Sequence, residues 1–282
     1  MKNVYRIINV FNHNTILCES LNDYKKYIFL GKGIGFGKKT NDRFIYNKDI
    51  QTSLQVLDQE DSIKYEKLIN SIENKKVIDI VQKVVNDANN YFDNKINNNI
   101  NITLLDHINF AVERYKNNMI INYPFIEDLK YLYPKEYQFS KNEFIFIKEE
   151  LKDIAVIDDA EIGFLTLHIH AALTDKHASD LIKKHTIVNA CINEIEKLSN
   201  IKLDRSSIFF IRLVKHIEFA INRHEKGIYI QNIMIKEIKE RCPSEFEITC
   251  KVNEMLKRDY DIELTNDELG YLALHIFNLL NS

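Results

Sequence analysis

The chain has 282 residues, more than one hydrophobic core usually supports, and its 3 Pro and 7 Gly leave few helix breakers. Aromatic residues at 11% argue against a disordered chain, and the four cysteines show no CxxC spacing. No apolar run is long enough for a membrane span or a signal peptide, so we predict a helix-rich cytoplasmic protein with free thiols and no membrane segment.

The first 50 residues differ from the rest in charge and in pattern. They carry nine Lys or Arg against four Asp or Glu, a net charge of +5, whereas residues 51–282 carry 29 against 37, a net charge of −8. Such a basic module favours a polyanionic ligand. Runs rich in β-branched and aromatic residues, separated by turn residues, predict a small antiparallel sheet. The runs are Val4 to Phe11, Thr15 to Cys18, Tyr27 to Leu30 and Phe44 to Tyr46. Because short strands bury little apolar surface, we expect this head to pair with a second copy.

A glycine-rich segment, GKGIGFGKK at 31–39, is the most distinctive part of this head. Its glycines allow a close approach of backbone to a ligand, Lys32, Lys38 and Lys39 can neutralise phosphates, and Phe36 offers a face for base stacking. The GxxxxGK[ST] spacing of a phosphate-binding loop is missing. A glycine-rich hairpin with solvated lysines explains the pattern equally well.

The remainder of the chain contains a duplication. LLDHINFAVER recurs in outline as LVKHIEFAINR, and EIGFLTLHI recurs as ELGYLALHI. The segment pairs are 104–114 with 213–223, and 161–169 with 268–276. His107 and His216 occupy the same position in the first two segments and are 109 residues apart. His168 and His275 occupy the same position in the other two segments and are 107 residues apart. A repeat of this length is typical of a duplicated globular domain rather than of a solenoid.

Apolar residues at spacings of three and four predict helices for both segments of each copy. Asp158 before Glu161 and Thr265 before Glu268 form capping-box patterns, which predict equivalent helix starts in the two copies. The expected fold is therefore mainly α, with two tandem homologous helical bundles after a small antiparallel β domain. The predicted domains are 1–58, 64–172 and 173–282.

Four histidines occupy equivalent places in the two copies, at positions 107, 168, 216 and 275. A buried packing imidazole is the ordinary explanation for each, and duplication would preserve it. A reactive role is also open, because a neutral ring nitrogen can attack a phosphohistidine donor. Arg114 follows His107 by seven residues, and Arg223 follows His216 by the same spacing, which places each arginine on the same helix face as its histidine. A phosphate-binding arginine and a solvated arginine explain this spacing equally well. We expect the histidines at 13, 177, 185 and 224 in loops or on the surface.

NVFNHNTIL at 9–17, the glycine-rich segment and the duplicated histidine segments together resemble the BglG/SacY/LicT family of bacterial transcriptional antiterminators, over essentially the full length. The resemblance implies a CAT RNA-binding domain followed by two PTS regulation domains, PRD1 and PRD2. The RNA-binding positions it implies are Asn14, Gly31, Lys32 and Phe36. The sequence departs from the family pattern with Lys32 in place of arginine, Gly37 in place of glutamine and Asn9 in place of a basic residue.

The resemblance also implies partners and regulation. A homodimer would bind a leader-mRNA hairpin and prevent a terminator from forming. His107, His168, His216 and His275 would accept phosphoryl groups from HPr or from a sugar-specific EII component of the sugar phosphotransferase system. Phosphorylation of the first copy would inactivate the protein, and phosphorylation of the second copy would favour the active dimer. No catalytic residue, cofactor or metal is implied.

Two other functions are compatible with parts of the sequence. Asp106 next to His107 matches the dyad of HD-type metal-dependent phosphohydrolases, but the second copy has Lys215 in place of the aspartate, which would repel a cation. A PRD-containing DNA-binding regulator would need a helix-turn-helix reader, and residues 1–50 contain strand patterns instead. We therefore expect an RNA-binding regulator that is not an enzyme.

Overall fold

The computed structural model of the chain contains two units, and it describes most of each. The described residues are 4–13, 15–30, 33–46, 53–57, 67–69, 71–72, 74–97, 99–119 and 126–281. The first unit comprises Met1–Ile121 with Gln138–Ala178, and the second unit comprises Asn122–Tyr137 with Ser179–Ser282. Among the described residues, no helix is both long and apolar enough to cross a membrane. The domain limits predicted from the sequence stay a prediction.

The head of the first unit is a five-stranded antiparallel sheet with strand order β4-β1-β2-β3-β5. The strands are β1 (Val4–Asn12), β2 (Thr15–Ser20), β3 (Lys26–Leu30), β4 (Arg43–Ile45) and β5 (Ser53–Leu57). The predicted small antiparallel sheet is confirmed, and its four runs correspond to β1 to β4. The sequence patterns missed β5, whose place in the sheet is set by its pairing with β3.

One face of this sheet carries an aromatic and aliphatic core. Tyr5, Ile7, Cys18, Phe29 and other buried residues form one cluster. The rings of Tyr5 and Phe29 meet edge to face with centroids 4.7 Å apart. Burial raises the pKa of the Cys18 thiol to about 12, so this thiol stays protonated. All four cysteines are free, as predicted.

Helices make up most of the other described residues, and they recur in the same order in the two sequence copies. In chain order they are α1 (Lys76–Tyr91), α2 (Ile100–Lys116), α3 (Ile126–Leu132), α4 (Pro134–Leu151), α5 (Glu161–Thr174), α6 (Ala178–Ser199), α7 (Ile208–Glu225), α8 (Ile235–Arg241), α9 (Pro243–Tyr260) and α10 (Asn266–Leu280). Proline is well tolerated in the first helical turn, where its missing N–H has no helical partner, and α4 and α9 both begin at one. The mainly α fold with duplicated bundles is confirmed.

The predicted capping boxes are only half right. Thr265 caps α10, and its side chain accepts a hydrogen bond from the backbone N–H of Glu268 at 3.4 Å. In the first copy the prediction is wrong, because α5 begins at Glu161 after Ala160, and Asp158 Oδ1 accepts instead from the N–H of Ala160 at 2.8 Å. The side chains of both glutamates bind histidine and arginine.

The expectation that His185 lies at the surface is also wrong. His185 is on α6 in the second unit and is only 1% exposed. Its Nε2 lies 3.0 Å from the hydroxyl of the buried Tyr133. The predicted surface positions of the histidines at 13, 177 and 224 are confirmed.

Candidate functional site: two histidine pairs and an exposed loop

The structure brings the four predicted histidines together as two pairs, one in each unit. His107 on α2 lies beside His168 on α5, with ring centroids 4.8 Å apart and ring planes inclined by 40°. His216 on α7 lies beside His275 on α10, at 4.7 Å and 41°. The two pairs therefore share one geometry, as the duplication of the sequence predicted.

A buried glutamate holds the first pair. Glu161, the first residue of α5, places Oε2 2.8 Å from Nε2 of His107. Its Oε1 accepts hydrogen bonds from Arg114 and, at 3.1 Å, from the hydroxyl of Tyr115. Burial raises the pKa of Glu161, but the hydrogen bond of His107, its charge whenever that ring is protonated, and the charge of Arg114 outweigh it and leave the pKa lowered. The carboxylate is therefore ionised at neutral pH.

The second pair has the same arrangement with looser contacts. Glu268 lies in the first turn of α10, and its two oxygens form a bidentate pair with Arg223, at 2.5 Å from Nε and 2.7 Å from a terminal nitrogen. Nε2 of His216 is 3.6 Å from Oε2, longer than an ordinary hydrogen bond. Burial raises the pKa of Glu268, but the nearby His216 and the hydrogen bonds and charge of Arg223 outweigh it and lower the pKa to about 2.

Both arginines are therefore committed to carboxylates. The side chain of Arg114 is only 4% exposed and that of Arg223 is 22% exposed. A solvated arginine, one of the two alternatives left open by the sequence, is thus wrong for Arg114, whereas Arg223 is ion-paired and still partly exposed to solvent. An ionised pair that is buried must be satisfied on both sides, so these arginines hold the glutamates in place against the histidines.

The second histidine of each pair is kept neutral by its surroundings. Burial lowers the pKa of His168 well below its ordinary value of 6.5, and the neighbouring His107 lowers it further whenever that ring is protonated. Burial, with the charge of Arg212 and that of His216 when its ring is protonated, lowers the pKa of His275 to about 4. Both rings are consequently neutral at physiological pH and keep a nucleophilic nitrogen.

His168 is largely buried but borders a cleft of about 400 Å³. Its Nδ1 is buried and has no hydrogen bond within the described part of the chain. Polar residues at the cleft include Asn97, Thr103, Lys176 and His177. The ring is therefore next to a polar opening, although most of its surface is covered.

The remaining predicted residue of the helical body, Asp106, has an exposed side chain on α2. Within the described ranges, no group of three or more His, Cys, Asp or Glu side chains could hold a metal ion. The counterpart Lys215 forms an ion pair with Glu218 at 2.9 Å. Nothing in this arrangement supports a metal-dependent phosphohydrolase.

The described part of the glycine-rich segment forms a tight turn between β3 and β4. Gly33 and Gly37 have φ of +74° and +68°, in the left-handed region that favours glycine. The N–H of Gly35 donates to the carbonyl of His13 at 2.9 Å, which ties the loop to the β1–β2 turn. Ile34 is buried in the core of the sheet and anchors the loop.

Phe36 projects from this anchored loop and is 71% exposed. The ring of His13 meets it edge to face with centroids 5.3 Å apart. An exposed aromatic ring on a fixed loop is suited to stacking with an unpaired base. The other predicted RNA-binding positions, Asn14, Gly31 and Lys32, lie outside the described residues.

Sequence reasoning missed the role of the two glutamates, which it assigned to helix capping. A signal was present: both copies keep an arginine seven residues after one histidine and a glutamate seven residues before the other. A spacing of seven residues places the two side chains of each helix on the same face about two turns apart, where a neighbouring helix can bring all four together. Duplication of the whole quartet indicates a shared cluster rather than four separate roles.

A small basic sheet domain followed by a duplicated helical body with paired histidines defines a modular regulator. The PRD domain family model matches residues 82–172 and 189–279, and the CAT RNA binding domain model matches residues 5–61. The chain belongs to the family of transcriptional antiterminators built from a CAT RNA-binding domain and two PRD domains. The members of this family are regulators and not enzymes.

Relatives match along nearly the whole chain. Protein GlcT of Staphylococcus haemolyticus (strain JCSC1435) is 31% identical over 281 residues, which cover 98% of this chain and 96% of the relative. The GlcA/glcB genes antiterminator of Staphylococcus carnosus (strain TM300) is 29% identical over 274 residues, with 96% and 94% covered. The crystal structure of GlcT CAT-PRDI superposes with a TM-score of 0.53 at 32% identity, and covers 61% of this chain and 99% of that one. The resemblance found in the sequence is thereby confirmed.

Proposed function

We propose that the protein is a homodimeric antiterminator that binds a leader-mRNA hairpin through its head and keeps an overlapping terminator from forming. The sugar phosphotransferase system controls it by phosphorylating the paired histidines. The observation that carries this proposal is the duplicated cluster of two histidines, a buried glutamate and an arginine in a chain that also bears a CAT RNA-binding domain.

RNA binding is assigned to the surface around the glycine-rich loop. The exposed ring of Phe36 supplies a stacking platform, and the exposed Lys38 and Lys39 supply charge for phosphates. Asn14, Gly31 and Lys32 complete the proposed RNA-binding set. Dimerisation places two such loops along one hairpin.

Phosphorylation is assigned to His107, His168, His216 and His275. Each phosphoryl group adds roughly −1.5 to −2 charges at neutral pH, by analogy with other phosphorylated side chains. In both pairs this charge would arise next to an ionised glutamate and an arginine that already neutralises it. The new dianion repels the glutamate and competes for the arginine, which gives a physical basis for rearranging the helices around each pair.

Two donors act on the two copies in this proposal. A sugar-specific EII component phosphorylates the first copy when its sugar is absent and inactivates the protein. HPr phosphorylates the second copy and favours the active dimer. The protein works in the cytoplasm, where both donors and nascent mRNA are present.

A gel-shift titration with a leader hairpin tests the assignment of the head. Phe36→Ala should weaken binding at least about tenfold, since stacking on an aromatic side chain contributes roughly 1–3 kcal/mol per base. Tyr24→Ala is the matched control, because Tyr24 is 74% exposed on a different turn of the same sheet. Equal loss in both variants, or no loss in Phe36→Ala, would contradict the assigned surface.

Incubation with phosphoenolpyruvate, enzyme I, HPr and the sugar-specific EII component, followed by mapping of acid-labile phosphate, tests the assignment of the histidines. We expect label on the paired histidines and none after all four are changed to Ala. The exposed His224 is the matched control, and its change to Ala should leave labelling intact. Label confined to serine or aspartate would overturn the proposed regulation.

A further inference from the structure

We infer that Glu161 and Glu268 are positioning residues that select the acceptor nitrogen. Glu161 accepts the Nε2–H of His107, and Glu268 faces Nε2 of His216 at 3.6 Å, so Nδ1 of His107 and of His216 receives the phosphoryl group. This inference rests on the proposed phosphorylation of these histidines, and it adds which atom reacts and what orients it.

The hydrogen bond at the first pair fixes the tautomer of His107. A neutral imidazole has one N–H donor and one nitrogen lone pair, whereas an ionised carboxylate can only accept. Because Nε2 lies 2.8 Å from Oε2 of Glu161, the proton of a neutral ring belongs on Nε2. Nδ1 then carries the lone pair, and within the described part of the chain it has no hydrogen-bond donor that would occupy it.

Three donors keep Glu161 in the ionised and oriented state that this role needs. Arg114 and Tyr115 both bond Oε1 and leave Oε2 to His107. The glutamate is 2% exposed and its pKa is lowered despite burial, so water does not compete with the histidine for the carboxylate.

The second pair presents the same edge of the ring to the carboxylate. Nε2 of His216 is buried and faces Oε2 of Glu268 at 3.6 Å, with no shorter bond among the described residues. Arg223 holds both oxygens of Glu268, and the counterpart of Tyr115 in this copy is the exposed His224. The orientation is therefore conserved between copies while the hold on the ring is weaker.

The transfer step balances without a further reactant. The Nδ1 lone pair of His107 attacks the phosphorus of a donor phosphohistidine, a P–N bond to His107 forms, and the donor P–N bond breaks with its electron pair returning to the donor nitrogen. The accepting ring keeps its Nε2–H and gains positive charge as the bond forms. Glu161 stabilises that charge as the buried aspartate of a catalytic triad stabilises its imidazolium.

Glu161→Gln should reverse the tautomer. Arg114 and Tyr115 both donate to Oε1, so the amide oxygen of the glutamine stays on their side and its NH₂ group faces His107. An NH₂ donor needs an acceptor, so Nε2 must lose its proton and Nδ1 must carry one. A protonated Nδ1 cannot attack phosphorus.

Two NMR measurements on the full-length chain test the inference. Long-range ¹H–¹⁵N correlation with ¹⁵N-histidine should report the Nε2–H tautomer for His107 in the unmodified protein and the Nδ1–H tautomer in Glu161→Gln. Glu113→Gln, a half-exposed position on α2, is the matched control and should leave the tautomer unchanged. Because no phosphoryl donor is used, this result is independent of whether the proposed phosphorylation occurs.

The second measurement identifies the phosphorylated nitrogen by ³¹P NMR after transfer from the sugar-specific EII component, in a His168→Asn, His216→Ala and His275→Ala background that leaves His107 as the one remaining paired histidine. We expect phosphate on Nδ1 of His107, at least a tenfold slower transfer in Glu161→Gln, and partial recovery in Glu161→Asp. An Nδ1–H tautomer in the unmodified protein, phosphate on Nε2 of His107, or an unchanged tautomer in Glu161→Gln would each overturn the inference. Failure of all labelling with the expected tautomer in place would count against the proposed function alone.

Discussion

Replacing Arg114 by Met removes the charge partner of Glu161 while keeping most of the side-chain volume. The two side chains are 4% and 3% exposed, so the variant leaves a carboxylate away from water with only His107 and Tyr115 to satisfy it. Breaking a buried pair from one side costs about 3–5 kcal/mol. The two remaining donors place the expected loss at the lower end, ~3 kcal/mol of unfolding free energy.

The same change at the second pair provides an internal comparison. The side chain of Arg223 is 22% exposed, so water can partly replace it after Arg223→Met. We expect a smaller loss there, about 1–2 kcal/mol, since solvent screening weakens exposed pairs. Urea unfolding followed by circular dichroism measures both losses, with tertiary probes in each unit to test for separate transitions.

The pH dependence of the stability loss distinguishes an electrostatic contribution of the ion pair from a packing effect of the substitution. The pKa of Glu161 in the folded state is lowered from its ordinary value of 4.5, so the stability that the pair contributes is present above that pH and is lost as the pH falls through the folded-state pKa. The difference between the unmodified protein and Arg114→Met should therefore be largest near neutrality and shrink in acid. A loss below about 0.5 kcal/mol, or a loss of equal size at neutral and acid pH, would refute the electrostatic reasoning.

Three further outcomes are expected. Because the pKa of His275 falls from 6.5 to about 4 on folding, the unfolded chain binds the proton first, and stability should decrease as the pH is lowered from 6.5 to about 4. Over that range the urea midpoint of His275→Asn should fall less than that of the unmodified protein. Tyr133→Phe leaves Nε2 of the buried His185 without its hydroxyl partner and should cost about 1–3 kcal/mol by urea unfolding; an unchanged midpoint would contradict the bond. A Cβ in Gly270→Ala would lie 2.8 Å from Nδ2 of the buried, hydrogen-bonded Asn232, so melting should occur several degrees lower; an equal or higher melting temperature would show that the segment around Asn232 adjusts freely.

Much of the architecture could be predicted because the duplication and the residue periodicities are local signals. Apolar spacing placed α2, α5, α7 and α10, and strand patterns placed β1 to β4. β5 was missed because its identity depends on pairing with β3, which is decided by tertiary context.

The chemistry of the site could be predicted only in part. The four histidines were found by their duplication, but the bond from His107 to Glu161 joins residues 54 apart in sequence, and no local rule encodes it. Capping statistics pointed Glu161 toward its own helix start, whereas burial beside Arg114 made the ion pair the better partner. His185 was wrongly predicted at the surface because its neighbours in the sequence are polar and do not indicate its contact with Tyr133.

The affinity of the dimer for its leader hairpin, before and after phosphorylation of the first histidine pair, tests the central claim most directly. With the second pair changed to Ala, EII-dependent phosphorylation of His107 and His168 should weaken hairpin binding at least tenfold, and this response should vanish when those two residues are also changed to Ala. Equal affinity of the phosphorylated and unphosphorylated forms would contradict control of RNA binding by these histidines.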